Sequence, residues 1–255
     1  MPNGISARLS DQRRTFLGKT DWYRRRQAQE SPAIPNTRLH PAGERVAYQS
    51  AAVGGHGKRC FDMAAAISSI LLWLPLLLLI AIAVKLADGG PIFYRHRRVG
   101  QNGKAFDCIK FRTMIPDADA SLCRLLASDR NAVLEWTKNH KLKRDPRITP
   151  LGAVLRKTSL DELPQLFNIV KGDMSLVGPR PIVLDEVEKY GECILYYMRA
   201  RPGLTGAWQV SGRNDVDYGK RIRLDTDYVS NWSFWRDLTI IVSTFRVVLT
   251  SRGCY

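Results

Sequence analysis

Hydrophobic residues are spread unevenly along the 255-residue chain, and the longest uninterrupted apolar run, Met63–Val84, holds 22 residues without a charge. As a helix rising ~1.5 Å per residue it would reach across a ~30 Å hydrocarbon layer. Pro75 sits near its middle, where the ring removes a backbone donor and crowds the carbonyl of Leu71, so the pattern predicts a kink or break there. Basic residues flank both sides, Lys58 and Arg59 before the run and Lys85, Arg95, Arg97 and Arg98 after it. Such flanks favour the cytoplasmic face, so a simple crossing would strand one cluster on the wrong side. A re-entrant helix over residues 58–90, which enters, bends at Pro75 and leaves on the same side, satisfies both flanks and keeps both chain ends in the cytoplasm. A kinked span and a buried core helix are the competing readings.

After the apolar run, Ile92–Val99 and Lys104–Thr113 are strand-like and joined through Gln101-Asn102-Gly103, a turn signal that predicts a β-hairpin. Side chains two apart on a strand share a face, so Lys110 and Arg112 should project together. Residues 117–140 read as a helix. Near the end, Trp232 and Trp235 precede an apolar stretch, Leu238–Leu249, broken by Ser243, Thr244 and Arg246. Its pattern fits a helix lying on a membrane surface, or an ordinary core helix.

Residues 1–57 show no sustained periodicity, nine Lys or Arg against four Asp or Glu, and prolines at 32, 35 and 41. They read as a disordered basic tail, whose Phe16, Leu17, Trp22 and Tyr23 could touch an anionic membrane. The first 30 residues contain Arg24, Arg25 and Arg26 but no apolar run suited to a signal peptide, which keeps the N-terminus inside. The whole chain carries a net charge of +15, which asks for an anionic partner: nucleic acid, acidic lipid or a phosphorylated substrate. The apolar run selects the membrane and disfavours nucleic acid. Five scattered cysteines and four scattered histidines argue against a disulfide framework and a zinc site.

The candidate chemistry begins at Ser159-Leu160-Asp161-Glu162-Leu163-Pro164-Gln165. Ser159 followed three residues later by Glu162 predicts a capping box, with Asp161 in the first turn of a helix. On local grounds alone Asp161 could simply complement the helix dipole. Downstream, Gly172 can end that helix and Met174–Val177 can form a short strand. Arg180 then lies between Pro179 and Pro181, which restrict the backbone and preorganise a guanidinium for phosphate oxygens. Arg201-Pro202-Gly203-Leu204-Thr205-Gly206 and Ser211-Gly212-Arg213-Asn214 repeat the theme of arginines in glycine-rich turns.

Taken in order, these segments resemble a known family. From Lys58 to Tyr255 the chain is similar to the monotopic bacterial phosphoglycosyl transferases, the bacterial sugar transferase family that initiates exopolysaccharide, capsule and glycan assembly. The matching segments are Lys58-Arg59-Cys60-Phe61-Asp62, Lys110-Phe111-Arg112-Thr113-Met114, Asp161-Glu162-Leu163-Pro164-Gln165, Lys171-Gly172-Asp173-Met174-Ser175, Gly178-Pro179-Arg180-Pro181 and Arg201-Pro202-Gly203-Leu204-Thr205-Gly206. Tyr94-Arg95-His96-Arg97-Arg98 and the ending Leu249–Tyr255 look closest to members that transfer galactose 1-phosphate to undecaprenyl phosphate. Many members have Ser-Pro at the membrane break, whereas this chain has Leu74-Pro75.

The resemblance implies an α+β fold, mainly α, with a re-entrant membrane helix, a small β-hairpin and interfacial helices. It divides the chain into the basic tail 1–57, the membrane helix 58–90 and a catalytic domain 91–255 on the cytoplasmic face of the bacterial inner membrane. It makes Asp161 a nucleophile toward the sugar-bearing phosphorus of a UDP-sugar, with UMP released and Glu162 beside it. Magnesium would neutralise the diphosphate, with Asp161 or Glu162 among its ligands. Lys110, Arg156 and Arg180 would stabilise phosphate charge, followed by Arg112, Arg201 and Arg213, and Asp225 would be a further active-site carboxylate. The helix N-terminus would help keep Asp161 ionised. Glucose is the alternative sugar, a non-catalytic membrane scaffold is the alternative function, and a homo-oligomer is compatible with the sequence.

Overall fold

The computed structural model describes residues 52–139, 142, 144–212 and 217–250. The basic N-terminal stretch up to residue 51 and Arg213 lie outside the described residues.

The apolar run belongs to one 34-residue helix, α1 (Gly55–Asp88). Of the kink or break expected at Pro75, the break does not occur: helical structure continues through it, because a proline removes one ladder bond while its neighbours on either side remain paired. Lys58, Asp62, Ala66, Leu77, Ile80 and Val84 are buried along one face of α1. Met63, Ile67, Leu71, Leu74, Leu78 and Ile82 recur at three- and four-residue intervals and are exposed, a spacing that aligns them on the opposite face. Only 17% of the most apolar stretch is buried, which removes the core-helix reading.

The hairpin forms as its turn signal predicts. Strand β1 (Phe93–Val99) pairs antiparallel with β2 (Ala105–Phe111), from Phe93 opposite Phe111 to Val99 opposite Ala105. Between them Asn102 takes φ 54°, a left-handed value that Asn tolerates. The single helix expected over 117–140 is two, α2 (Ala118–Ser128) and α3 (Arg130–Asn139). Asp129 divides them: its backbone is extended and its carboxylate accepts from the amides of Asn131 at 2.7 Å and Ala132 at 3.2 Å, which starts a new helix.

Helix α4 (Pro150–Thr158) begins with Thr149 accepting from the Gly152 amide and Pro150 in its first turn. A 3-10 turn, Leu160–Glu162, leads to α5 (Gln165–Lys171), which ends at Gly172. Two short strands, β3 (Ser175–Val177) and β4 (Gly203–Thr205), pair in parallel. A Cβ on Gly203 would sit 2.1 Å from the Gly178 nitrogen, so only glycine permits this approach. Helices α6 (Val187–Tyr190) and α7 (Ile194–Arg199) lie between the two strands in sequence. After β4 come α8 (Ala207–Val210), α9 (Tyr218–Ser230) and α10 (Phe234–Thr250).

Helix α1 contributes to two cores. Ala66 packs with Phe106, Cys108, Leu166, Ile169 and Met174, while Leu77, Ile80 and Val84 pack with Phe111 and Leu155. Its beginning is held by a buried polar network: Lys58 Nζ lies 2.5 Å from Asp237 Oδ2, and Ser175 Oγ donates to Asp62 Oδ2 at 2.7 Å. Its last turn is held by an ion pair between Asp88 and Arg112. Helix α10 buries Asp237 and Ile240 and exposes Trp235, Val242 and Phe245.

Candidate active site

Asp161 occupies the middle of the 3-10 turn between α4 and α5. The preceding Ser159 is not a cap. It ends α4 in a left-handed conformation at φ 59° and its side chain makes no capping bond, so the expected capping box is not formed. The reversal at Ser159 instead turns Asp161 inward, leaving it 8% exposed. Burial pushes its carboxyl up to about 6, against the opposing pull of Lys110 and Arg156 and with a further push from Glu162. The expectation that a helix N-terminus holds Asp161 ionised is therefore corrected: α5 starts only at Gln165, and desolvation outweighs the nearby cations.

Lys110, from β2, places Nζ 2.5 Å from Glu162 Oε1. Arg156, from the last turn of α4, donates from Nε to Thr113 Oγ1 at 2.8 Å, which fixes a guanidinium in the field of Asp161. Asn168 of α5 sets how the turn and the strand meet. Its Oδ1 accepts from the Ile109 amide at 3.0 Å and its Nδ2 donates to the Asp107 carbonyl at 2.8 Å, so the side chain takes the place of a neighbouring strand. The carboxylate turn and the lysine strand are thus locked in register by one amide.

A second charged group adjoins the first. Among carboxylates Glu162 acts most strongly on Arg180, whose guanidinium stacks 5.0 Å over Trp208. Arg221, from α9, stacks 5.1 Å over the same indole and 5.0 Å over Tyr218, and places Nη1 3.3 Å from Glu186 Oε1. Asp225, one turn on, is 2% exposed and accepts from the Tyr190 hydroxyl at 2.9 Å. Burial pushes its carboxyl up to about 6 despite that bond and the nearby arginines. His96 and Arg98 of β1 reach the same field; burial, helped by Arg98 and Lys110, holds His96 down to about 4, an uncharged ring at neutral pH.

A family profile described as bacterial sugar transferase matches residues 53–251. The chain belongs to this family. It is 54% identical over 203 residues to an exopolysaccharide production protein, ExoY, of Rhizobium meliloti, covering 80% of this chain and 90% of that one. It is 54% identical over 198 residues to the undecaprenyl-phosphate galactose phosphotransferase of Salmonella typhimurium, covering 78% of this chain and 41% of that longer protein. A UDP-glucose:undecaprenyl-phosphate glucose-1-phosphate transferase of Xanthomonas campestris pv. campestris is 41% identical over 192 residues, covering 72% of this chain and 37% of that one.

Within this family member, the structure brings Asp161, Glu162, Lys110, Arg156 and Arg180 into one electrostatic group, with Asp225 reached through Arg180. It does not bring all of the named arginines there. Arg112 is buried and ion-paired to Asp88, so Lys110 and Arg112 serve different carboxylates. Arg201 donates from Nε to the Gly172 carbonyl at 3.1 Å and sits among Arg59 and Asp62 near the start of α1. Arg221 and Trp208 belong to none of the motifs legible in the sequence. Their spacing carries no motif, and only the packing of α8 on α9 stacks them; a signal was nevertheless present in the polar side chains of Arg221 and Asp225 one helical turn apart.

For magnesium, the donors at hand are the adjacent carboxylates of Asp161 and Glu162, and no group of three or more potential ligands occurs among the described residues. That set fits an ion that keeps waters and takes its remaining ligands from substrate phosphates.

Proposed function

We propose that this chain is a phosphoglycosyl transferase that moves a sugar 1-phosphate from a UDP-sugar to undecaprenyl phosphate, releasing UMP, as the first step of exopolysaccharide assembly. Sugar-phosphate transfer to a lipid carrier is supported by the names of its relatives, and galactose is favoured over glucose because the galactose-transferring relative is 54% identical and the glucose-transferring one 41%. The observation that carries the reading is a buried carboxylate, Asp161, set between Lys110 and Arg156 in the same body that holds a long helix with an exposed apolar face.

The chemistry follows from charge. Both substrates are phosphate anions, and letting each meet one carboxylate in turn keeps them apart. A carboxylate oxygen of Asp161 forms a bond to the sugar-bearing phosphorus while the bond from that phosphorus to the UMP oxygen breaks, and the electron pair leaves with UMP. An oxygen of the lipid phosphate then attacks the acyl phosphate and returns Asp161 as a carboxylate. Lys110 and Arg156 stabilise the charge on the transferring phosphoryl oxygens, and Arg180 extends that field. Magnesium, held by Asp161 or Glu162, would supply further charge neutralisation for the departing UMP. The exposed apolar faces of α1 and α10 seat the body on the cytoplasmic face of the inner membrane, at a depth where the lipid phosphate meets Asp161.

The test is isotope exchange. Wild-type protein is expected to move labelled UMP into UDP-galactose with no lipid acceptor present, and Asp161→Asn to abolish both exchange and transfer while remaining in the membrane fraction. Exchange that requires lipid, or survives in Asp161→Asn, overturns the covalent step, and a panel of labelled UDP-sugars decides the sugar.

A further inference from the structure

Apart from two guanidinium nitrogens of Arg112, every buried side-chain nitrogen or oxygen without a hydrogen-bond partner among the described residues falls within residues 208–226. They include Trp208 Nε1, Gln209 Oε1, Nε and Nη2 of Arg221, Asp225 Oδ1 and Thr226 Oγ1. Trp208, Arg221 and Asp225 are 7%, 6% and 2% exposed. Leaving such a group unpaired is costly, and native folds keep few of them. Three of these residues meet in space: Arg221 stacks over Trp208, and Asp225 lies one turn along the same face of α9, in the field of Arg221.

We propose that Trp208, Arg221 and Asp225 form the subsite that recognises the sugar of the nucleotide-sugar, an inference that rests on the proposed transferase reading. Two observations select a sugar. The orphan groups of these three residues mix donors, the indole and guanidinium N–H groups, with an acceptor, the Asp225 oxygen. A sugar hydroxyl, which both donates and accepts, matches that mixture; a phosphate, which only accepts, would face the open Asp225 oxygen. The second observation is position. Arg180 stacks 5.0 Å over Trp208, and among carboxylates Glu162 acts on it most strongly, so Arg180 links this patch to the carboxylate pair. The sugar is bonded directly to the phosphorus that Asp161 attacks, whereas the nucleobase lies beyond a second phosphate and a ribose. These polar groups are desolvated before substrate arrives, so a hydroxyl that pairs with them gains the whole bond and an epimer that misses them leaves them unpaired. Entry requires the Trp208–Arg221 stack to part.

The experiment compares kcat/KM for UDP-galactose and UDP-glucose, together with inhibition by UMP, in wild type, Trp208→Phe and Asp225→Asn, each full-length and in lipid nanodiscs with undecaprenyl phosphate. Asp225→Asn nearly preserves shape, and Trp208→Phe keeps an aromatic ring under Arg180 and Arg221 while removing the indole N–H, so a melting temperature near wild type in either variant shows that the fold is kept. The expected result is a change of about tenfold or more in the galactose-to-glucose ratio in at least one variant, with the UMP inhibition constant within about twofold of wild type. An unchanged ratio, with both sugars affected alike, overturns the inference. A weakened UMP constant with an unchanged ratio also overturns it and reassigns the patch to the nucleoside. If the wild type transfers neither sugar nor any other UDP-sugar, the transferase reading itself fails.

Discussion

At the scale of single residues, the reactivity of the site is set by how burial competes with charge at Asp161. A carboxylate flanked by Lys110 and Arg156 would ordinarily titrate low, yet desolvation and the adjacent Glu162 push it up to about 6. The direction has a defined consequence. The nucleophile is the anion, so protonation below about pH 6 removes it and the exchange rate should fall about tenfold per pH unit on the acid side, levelling above about pH 7. Measuring lipid-independent UMP exchange between pH 4.5 and 8 checks this; a profile flat down to pH 4 would mean that the cations win over burial. Glu162 acts differently from its neighbour. Paired with Lys110 at 2.5 Å, it keeps the lysine beside Asp161.

At the scale of elements, the start of α1 is attached by charge as well as by apolar packing. Lys58 meets Asp237, which also accepts from the Tyr228 hydroxyl at 2.6 Å and the Trp232 indole at 3.1 Å, so one lysine joins α1 to α9 and α10. Arg59 donates to the Ile169 and Val170 carbonyls at 2.6 and 2.9 Å, which a helix C-terminus leaves without intrahelical partners. Lys58→Met would leave Asp237 and Asp62 buried without their cation and should cost about 3–5 kcal/mol. Denaturant unfolding in detergent reads this, and Lys58→Met combined with Asp237→Leu should recover part of the loss. A single-mutant midpoint equal to wild type would show that the network is solvated in solution.

At the scale of the whole molecule, both ends of α1 are tied to the same body, Lys58 to Asp237 at one end and Asp88 to Arg112 at the other. A conventional span would carry those two ends to opposite sides of a ~30 Å layer. The exposed stripe Met63, Ile67, Leu71, Leu74, Leu78 and Ile82 runs along the helix, and Trp235, Val242 and Phe245 expose a second apolar face on α10. Both are what the proposed seating in one leaflet requires. Tags at residue 1 and residue 255 should therefore be accessible only from the cytoplasmic side of oriented vesicles, and labelling from opposite sides would establish a span.

The parts of this molecule that depend on local order were legible from the chain itself. A 22-residue uncharged run, an Asn-Gly turn and a Gly-Pro-Arg-Pro segment each report through neighbouring residues, so the long helix, the hairpin and the short strand before Arg180 could be read directly, and the ordered motifs identified the family. Where the readings diverged, a long-range contact or a single backbone angle had the deciding role. Ser159 looked like a cap until its left-handed turn buried Asp161. Asp129 divided one periodic helix into two. Arg112 and Arg201 had the right chemistry for phosphate and were turned toward Asp88 and the Gly172 carbonyl. The stack of Arg180, Trp208 and Arg221 joins residues 41 positions apart along the chain, and a periodicity has no reach over that distance. Patterning sets which segments form and which faces are apolar, because those depend on neighbours in sequence; which charges meet depends on burial and partners, and these exist only once the chain has folded.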